Sequence, residues 1–191
     1  MRIFALIAAL TILATGPAAA QSWKEYDYPQ YSFAVSFPAE PVVETKNYQT
    51  AEGGTAEARV YSVTRSNAVF TMTVVDLSGV QTEEKAVIDH AIRTMSQGGE
   101  IKLDIPHRIS QVYGRQLSIA GRDGSHASIA VFYHQKRLYQ IQGIALPTAE
   151  DSTGEAIRFQ QSLSFTRNAA NRTPLEPVFQ VFGRAFFGGR D

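Results

Sequence analysis

Four histidines and no cysteine are available to this chain, so nucleophilic or metal chemistry would have to be built from imidazoles, hydroxyls and carboxylates. His126 and His134 have the same parity on one expected strand, the spacing that turns two side chains to one face of a sheet. Eight residues of strand at about 3.3 Å each hold them roughly 26 Å apart, whereas the ligands of one metal lie near 2 Å from it. A single ion therefore cannot use both. His107, beside Pro106, reaches either of them only across the sheet, and the sequence sets no register for that pairing.

Asp123 and His126 flank a turn, and a carboxylate beside an imidazole is how a general base is oriented. No nucleophile is tied to the pair. Asp123-Gly124 is also what a tight hairpin needs, because glycine accepts positive φ and Asp bonds its own backbone. Asp123 is therefore read as a turn residue. On the helix expected over residues 82–98, His90 lies about 200° from Ile88 and points to solvent, away from the apolar stripe. No nucleophile elbow, phosphate loop, dinucleotide fingerprint, H-E-x-x-H or calcium loop occurs. The sequence thus nominates no catalytic residue, no metal site and no cofactor. Asn171-Arg172-Thr173 matches a glycosylation sequon, which matters only in a eukaryotic secretory pathway.

The elements that would position these residues begin after a leader. Arg2 precedes an apolar run over residues 3–14, and Ala18 and Ala20 supply an A-x-A site, so residues 1–20 read as a signal peptide cleaved after Ala20. The run is shorter than the roughly 20 residues a membrane-crossing helix needs, and nothing downstream is long and apolar enough to span. The expected location is periplasmic or secreted. Roughly 170 residues remain, which fits one domain stabilised by its core alone. With 18 basic and 18 acidic residues and no run of like charge, no footprint for nucleic acid is present.

Residues 31–37 alternate aromatic and β-branched side chains and read as a strand ended by Pro38. The aromatics before it, Trp23, Tyr26 and Tyr28, are expected to pack at the edge of the core. Strands follow over 42–50, 58–66 and 69–77, with Glu52-Gly53-Gly54 as a hairpin tip. The helix over 82–98 has Thr82 as its cap and Ile88, Ala91, Ile92 and Met95 as its apolar stripe. Residues 100–110 read as a strand whose later part Pro106 confines to a sheet edge or a bend. Residues 112–146 form a three-stranded meander. Loops at 123–125 and 135–137 would pair Ile119 with Ile129, Leu117 with Val131, Tyr133 with Tyr139 and Val131 with Ile141. A second helix over 152–162 opens on a capping box of Ser152 and Glu155 and buries Ala156, Phe159 and Leu163, with a short strand over 163–165 after it.

Residues 168–191 differ in composition. After a linker, Thr173, Pro174 and Glu176 form a helix start, and Leu175, Val178, Phe179, Phe182 and Phe186 follow helical spacing. This short amphipathic helix is expected to pack on the body, with docking on a partner or membrane surface and disorder as the alternatives. Tyr133 and Tyr139 are the residues expected to line any cleft between sheet and helices.

In its order of elements the chain resembles the PsbP-like proteins, the Ran-binding Mog family and bacterial periplasmic proteins of the DcrB type. The resemblance rests on Tyr31-Ser32-Phe33-Ala34-Val35-Ser36-Phe37-Pro38, on Asp123-Gly124-Ser125-His126, on Arg137-Leu138-Tyr139-Gln140-Ile141, and on Arg158-Phe159 with Ser162-Leu163-Ser164-Phe165. It covers residues 21–167 and leaves the C-terminal segment outside. It implies an α+β fold, an antiparallel sheet flanked by helices on both faces as an α/β/α sandwich. It also implies a non-enzymatic module that binds or assists other proteins. Function does not transfer along such a fold. The expectation is an exported, non-catalytic accessory or protein-binding module whose partner is another envelope protein. The alternatives are a small-ligand or lipid-binding protein and a hydrolase of unrecognised type.

Overall fold

A computed structural model describes residues 23–148 and 150–166. The expected leader, and the C-terminal segment with Val178, Phe179, Phe182 and Phe186, lie outside the described residues.

Among the described residues, runs of β-branched and aromatic residues between Gly, Asn and Pro signals form ten strands. They are β1 (Lys24–Tyr28), β2 (Phe33–Phe37), β3 (Val42–Gln49), β4 (Thr55–Thr64), β5 (Ala68–Asp76), β6 (Gly99–Ile109), β7 (Val112–Gly121), β8 (His126–His134), β9 (Arg137–Ala145) and β10 (Ser164–Phe165). Helix α1 (Glu84–Met95) separates β5 from β6, and α2 (Thr153–Gln161) separates β9 from β10. A seven-stranded sheet runs β3-β4-β5-β9-β8-β7-β6, and a three-stranded sheet runs β1-β2-β10. Every pairing is antiparallel. The α+β class and the antiparallel sheet are those expected.

The central strands are buried on both faces, which is why they read as near-continuous apolar runs. On one face Phe70, Met72 and Val74 of β5, Ala130 and Phe132 of β8, and Tyr139 and Ile141 of β9 form a core with Phe33, Val35 and Phe37 of β2 and Phe159 of α2. The alternate residues Val75, Ile129, Val131 and Leu138 join Leu117 and Ile119 of β7 and Val87, Ile88, Ala91 and Ile92 of α1 in a second core. On the first face the cover is thus a small sheet together with a helix.

The details depart from the sequence reading in five places. The strand expected over 31–37 starts at Phe33, because Pro29–Tyr31 forms a 3-10 turn and Ser32 adopts φ 58°. β1 was not foreseen. Its Tyr26 and Tyr28 pack on the first core as expected, but through a ladder with β2. α1 begins after Glu83 with no side-chain cap, so Thr82 does not cap it. Ser152 stands at the N-cap of α2 without capping it: its hydroxyl donates to the Asn67 carbonyl at 2.5 Å, and Glu155 pairs with Arg65 at 3.4 Å. The capping box gives way to two ties between α2 and the region joining β4 to β5.

The fifth departure concerns the meander. The β7–β8 loop has three residues as expected, but they are 122–124, because Gly124 at φ 86° must be the last of them. Leu117 pairs with Ile129 and Ile119 with Ala127, so the faces are right and the partners shift by two. The β8–β9 turn has two residues, Gln135 at φ 48° and Lys136 at φ 58°, as in a type I′ turn. Phe132 therefore pairs with Tyr139 and Tyr133 with Leu138. Pro106 lies within β6, which among the described residues pairs with β7 alone and is a sheet edge, as the proline requires.

Helix α2 rests directly on β9 at Gly143, where an added Cβ would stand 2.5 Å from the Ala156 carbonyl oxygen. A Gly143→Ala variant is expected to lose about 1–3 kcal/mol of stability through overpacking. In the first turn of the same helix Gly154 has open space around it, and Gly154→Ala is expected to gain about 0.5–1 kcal/mol. Urea unfolding of the two variants checks both signs.

Candidate functional site

The residues singled out as chemical candidates are dispersed. His126 and His134 occupy opposite ends of β8. The Asp123 carboxylate accepts from the Ser125 backbone N–H at 3.0 Å and the Ser125 hydroxyl at 2.6 Å, and these bonds hold its carboxyl below the usual range. It is a turn residue. His90 does not point away to solvent: its Nε2 lies 3.0 Å from the Gln49 carbonyl, and its ring meets Tyr48 edge-on at 6.0 Å. The end of β3 curls over that side of α1, which helical geometry alone did not reveal. Among the described residues no three His, Asp or Glu side chains gather to hold a metal ion.

Tyr133 and Tyr139 do not share a cleft. The two-residue turn at Gln135-Lys136 puts them on opposite faces of the sheet, since a one-residue change of register turns every side chain over. Tyr139 is fully buried, and its hydroxyl donates to the Tyr31 carbonyl at 2.8 Å. Burial pushes its phenol pKa up. Tyr133 packs against the other core.

The register does bring His107 toward His134. His107 pairs with Gly114, and Gly114 pairs with Phe132, two residues from His134. A Cβ at Gly114 would lie 2.4 Å from Phe132 Cδ1, so glycine lets the Phe132 ring lean across to His107 at 5.6 Å. Phe165 of β10 then stands 5.5 Å from Phe132 and 5.6 Å from His134. Each imidazole thus has an aromatic ring as its neighbour, Phe132 for His107 and Phe165 for His134. Desolvation lowers the pKa of both.

A recessed surface forms instead between α1 and β7. The residues α1 buries, Val87, Ile88, Ala91 and Ile92, pack with β8 and β9 and with Leu117 and Ile119 further along β7, so the start of β7 stays open. The resulting groove encloses about 380 Å³ and is lined by Glu84, Lys85, Ile88, Asp89, Tyr113, Gly114 and Arg115. Tyr113 at its rim is 62% exposed, and the Arg108 guanidinium lies over its ring at 5.7 Å. Arg115 reaches Asp104 of β6 at 2.6 Å, while its buried Nε has no hydrogen-bond partner among the described residues. Lys85 bonds Asp89 one turn along α1, and holds that carboxyl low, with Arg93 and Arg115 adding to the effect. The groove therefore carries both signs of charge around an exposed ring. Sequence reasoning passed over all of these residues as site candidates, because only the pairing of β6 with β7 and the seating of α1 bring them together.

No protein-family model matches the chain, and no curated protein matches it. Among solved structures it is similar to cyanobacterial PsbP from Synechocystis sp. PCC 6803, with TM-score 0.52 and 11% identity over 78% of this chain and 96% of that one. A protein of unknown function from Pseudomonas aeruginosa aligns with TM-score 0.33 and 9% identity over 65% of this chain and 83% of that one. The first likeness shows a PsbP-like fold. No helix among the described residues is long and apolar enough to cross a membrane.

The two histidines carry a pH dependence whose sign can be worked out. Folded, both resist protonation; unfolded, each titrates near 6.5. Below about pH 6.5 the unfolded chain binds protons that the folded chain refuses, so their contribution is full above that pH and is lost as pH falls toward the lowered folded values. The urea midpoint is expected to fall between pH 7.5 and pH 5. That fall should be smaller in a His107→Gln, His134→Gln variant, and an unchanged fall would remove the histidines from the account.

Proposed function

We propose that the chain is an exported, non-catalytic accessory module that recognises another protein of the cell envelope through the groove between α1 and β7. The observation that carries this reading is Tyr113, a 62% exposed aromatic at the rim of a groove lined by charges of both signs. Exposed tyrosine and arginine are the side chains that anchor protein interfaces, where a large rigid ring adds contact area and a guanidinium adds directed donors. A lipid would want an apolar lining and a nucleic acid a basic one; a mixed lining suits a polypeptide carrying both signs. The loss of a shared cleft for Tyr133 and Tyr139 takes away the geometry on which a small-ligand reading rested.

In this reading the layers form an α/β/α sandwich of the PsbP type, with α1 on one face and α2, beside the small sheet, on the other. Cyanobacterial PsbP supports it at the level of fold. Export rests on the leader expected over residues 1–20, with its small side chains at Ala18 and Ala20.

Tyr113→Ala separates recognition from folding. An exposed position of this kind should change stability by less than about 0.5 kcal/mol. Loss of an interface anchor worth about 2 kcal/mol should weaken capture of the partner roughly 30-fold. Quantitative affinity capture from an envelope extract, comparing wild type with Tyr113→Ala, is expected to yield a protein retained by the first and lost by the second. Identical sets of captured proteins would sink the assignment of the groove.

A further inference from the structure

The layer that covers the first core stops while the sheet beneath it continues. β10 pairs with β2 on one side, and Phe165 rests on Phe132 and Tyr139. Beyond β8 the sheet runs on through β7 to β6. On this face the pairs Leu103–Ser118, Ile105–Gln116, His107–Gly114 and Ile109–Val112 set the β6 side chains in one row. Ile109 and Val112 belong with the first core, whereas Leu103 is 39% and Ile105 41% exposed. The row continues that core past its last covering element.

We propose that this strip is the docking site of the chain's own C-terminal segment, residues 167–191, bound in cis. This goes beyond the groove, which lies on the other face of the sheet. Three observations choose the occupant. The described chain ends at Thr166, whose N–H bonds the Ser32 carbonyl at 3.0 Å, and its neighbour Phe165 packs on Phe132 of β8. From β8 to β6 is two strand spacings, about 10 Å, and the nine residues to Leu175 reach up to roughly 30 Å when extended. The segment carries Leu175, Val178, Phe179, Phe182 and Phe186 at helical spacing, an apolar stripe with no use in water. As a helix, residues 175–186 measure about 18 Å, against roughly 20 Å from Leu103 to Ile109 along β6. Pro106 further selects a partner that packs side chains over one that adds a strand, since it offers no N–H to an incoming edge.

The chain has no cysteine, so Ile105→Cys gives a single thiol whose reaction with N-ethylmaleimide reads cover at the strip. In the full chain this thiol is expected to react at least ten times more slowly than in the same chain carrying Phe179→Glu and Phe182→Glu. The rate should not depend on protein concentration. Tyr113→Cys, on the other face, should react alike in both backgrounds. Equal rates at position 105 would overturn the proposal, and so would a parallel change at position 113. Protection that grows with protein concentration would assign the strip to a second copy and overturn docking in cis.

Discussion

A fully buried phenol must find an acceptor, and much of this fold is arranged around the one that Tyr139 finds. Its ring lies between the two sheets, where an unbonded hydroxyl would cost about 1–3 kcal/mol. The acceptor is the carbonyl of Tyr31, in the 3-10 turn that joins β1 to β2. That bond ties the β1–β2 turn of the small sheet to β9. The same ring meets Phe33 of β2 at 6.2 Å and Phe165 of β10 at 5.1 Å, so three pieces distant in sequence converge on one side chain. A second gathering point is Phe159, which meets Phe37 at 4.9 Å and Phe70 at 5.3 Å and seats α2 on the same face. Since both faces of β5, β9 and β8 are buried, α1 must close the other side.

Sequence periodicity revealed the strands and helices because burial leaves a period of two or of 3.6 in the apolar residues. It placed Leu117, Ile119, Ile129 and Val131 on one face, and all four lie in one core. It failed where one residue decides the parity. A type I′ turn is ordinarily announced by Asn-Gly or Gly, and here two residues with side chains, Gln135 and Lys136, take positive φ instead. That reversal sent Tyr139 to the opposite face from Tyr133, and with it went the cleft the two were expected to line. β1 was hidden for a different reason. Its charged residues Lys24, Glu25 and Asp27 are those of an exposed edge, and its tyrosines would pack the same way with or without a ladder.

The groove was not legible at all. Lys85 and Asp89 have only the spacing of an i, i+4 pair, and nothing local connects Arg115 with Asp104. Their meeting depends on the register that runs unbroken from the Ile109–Val112 pair to Leu103–Ser118, which sets Asp104 opposite Leu117, two residues along β6 from Arg115's own partner Pro106. Neither residue type announces that register. His90 teaches the same lesson in reverse: a helix-wheel argument sent it to solvent, but the last residue of β3, Gln49, supplies a carbonyl.

The two outer edges of the large sheet differ in what they permit. β3 has no proline along its eight residues, and Val42 and Val43 are 64% and 48% exposed beside the Glu44–Lys46 pair. Among the described residues no strand pairs with its outer edge, and those charges are the main deterrent to an added strand. β6 is less suited to that mode. Pro106 offers no N–H to an incoming strand, and the bulge disturbs the ladder just before it. Strand addition on the β6 side is weakened there. Tyr113, Arg108 and Arg115 stand on that side, on the face where α1 leaves β7 open, so the edge with the weaker ladder is also the one that carries an exposed ring among charges.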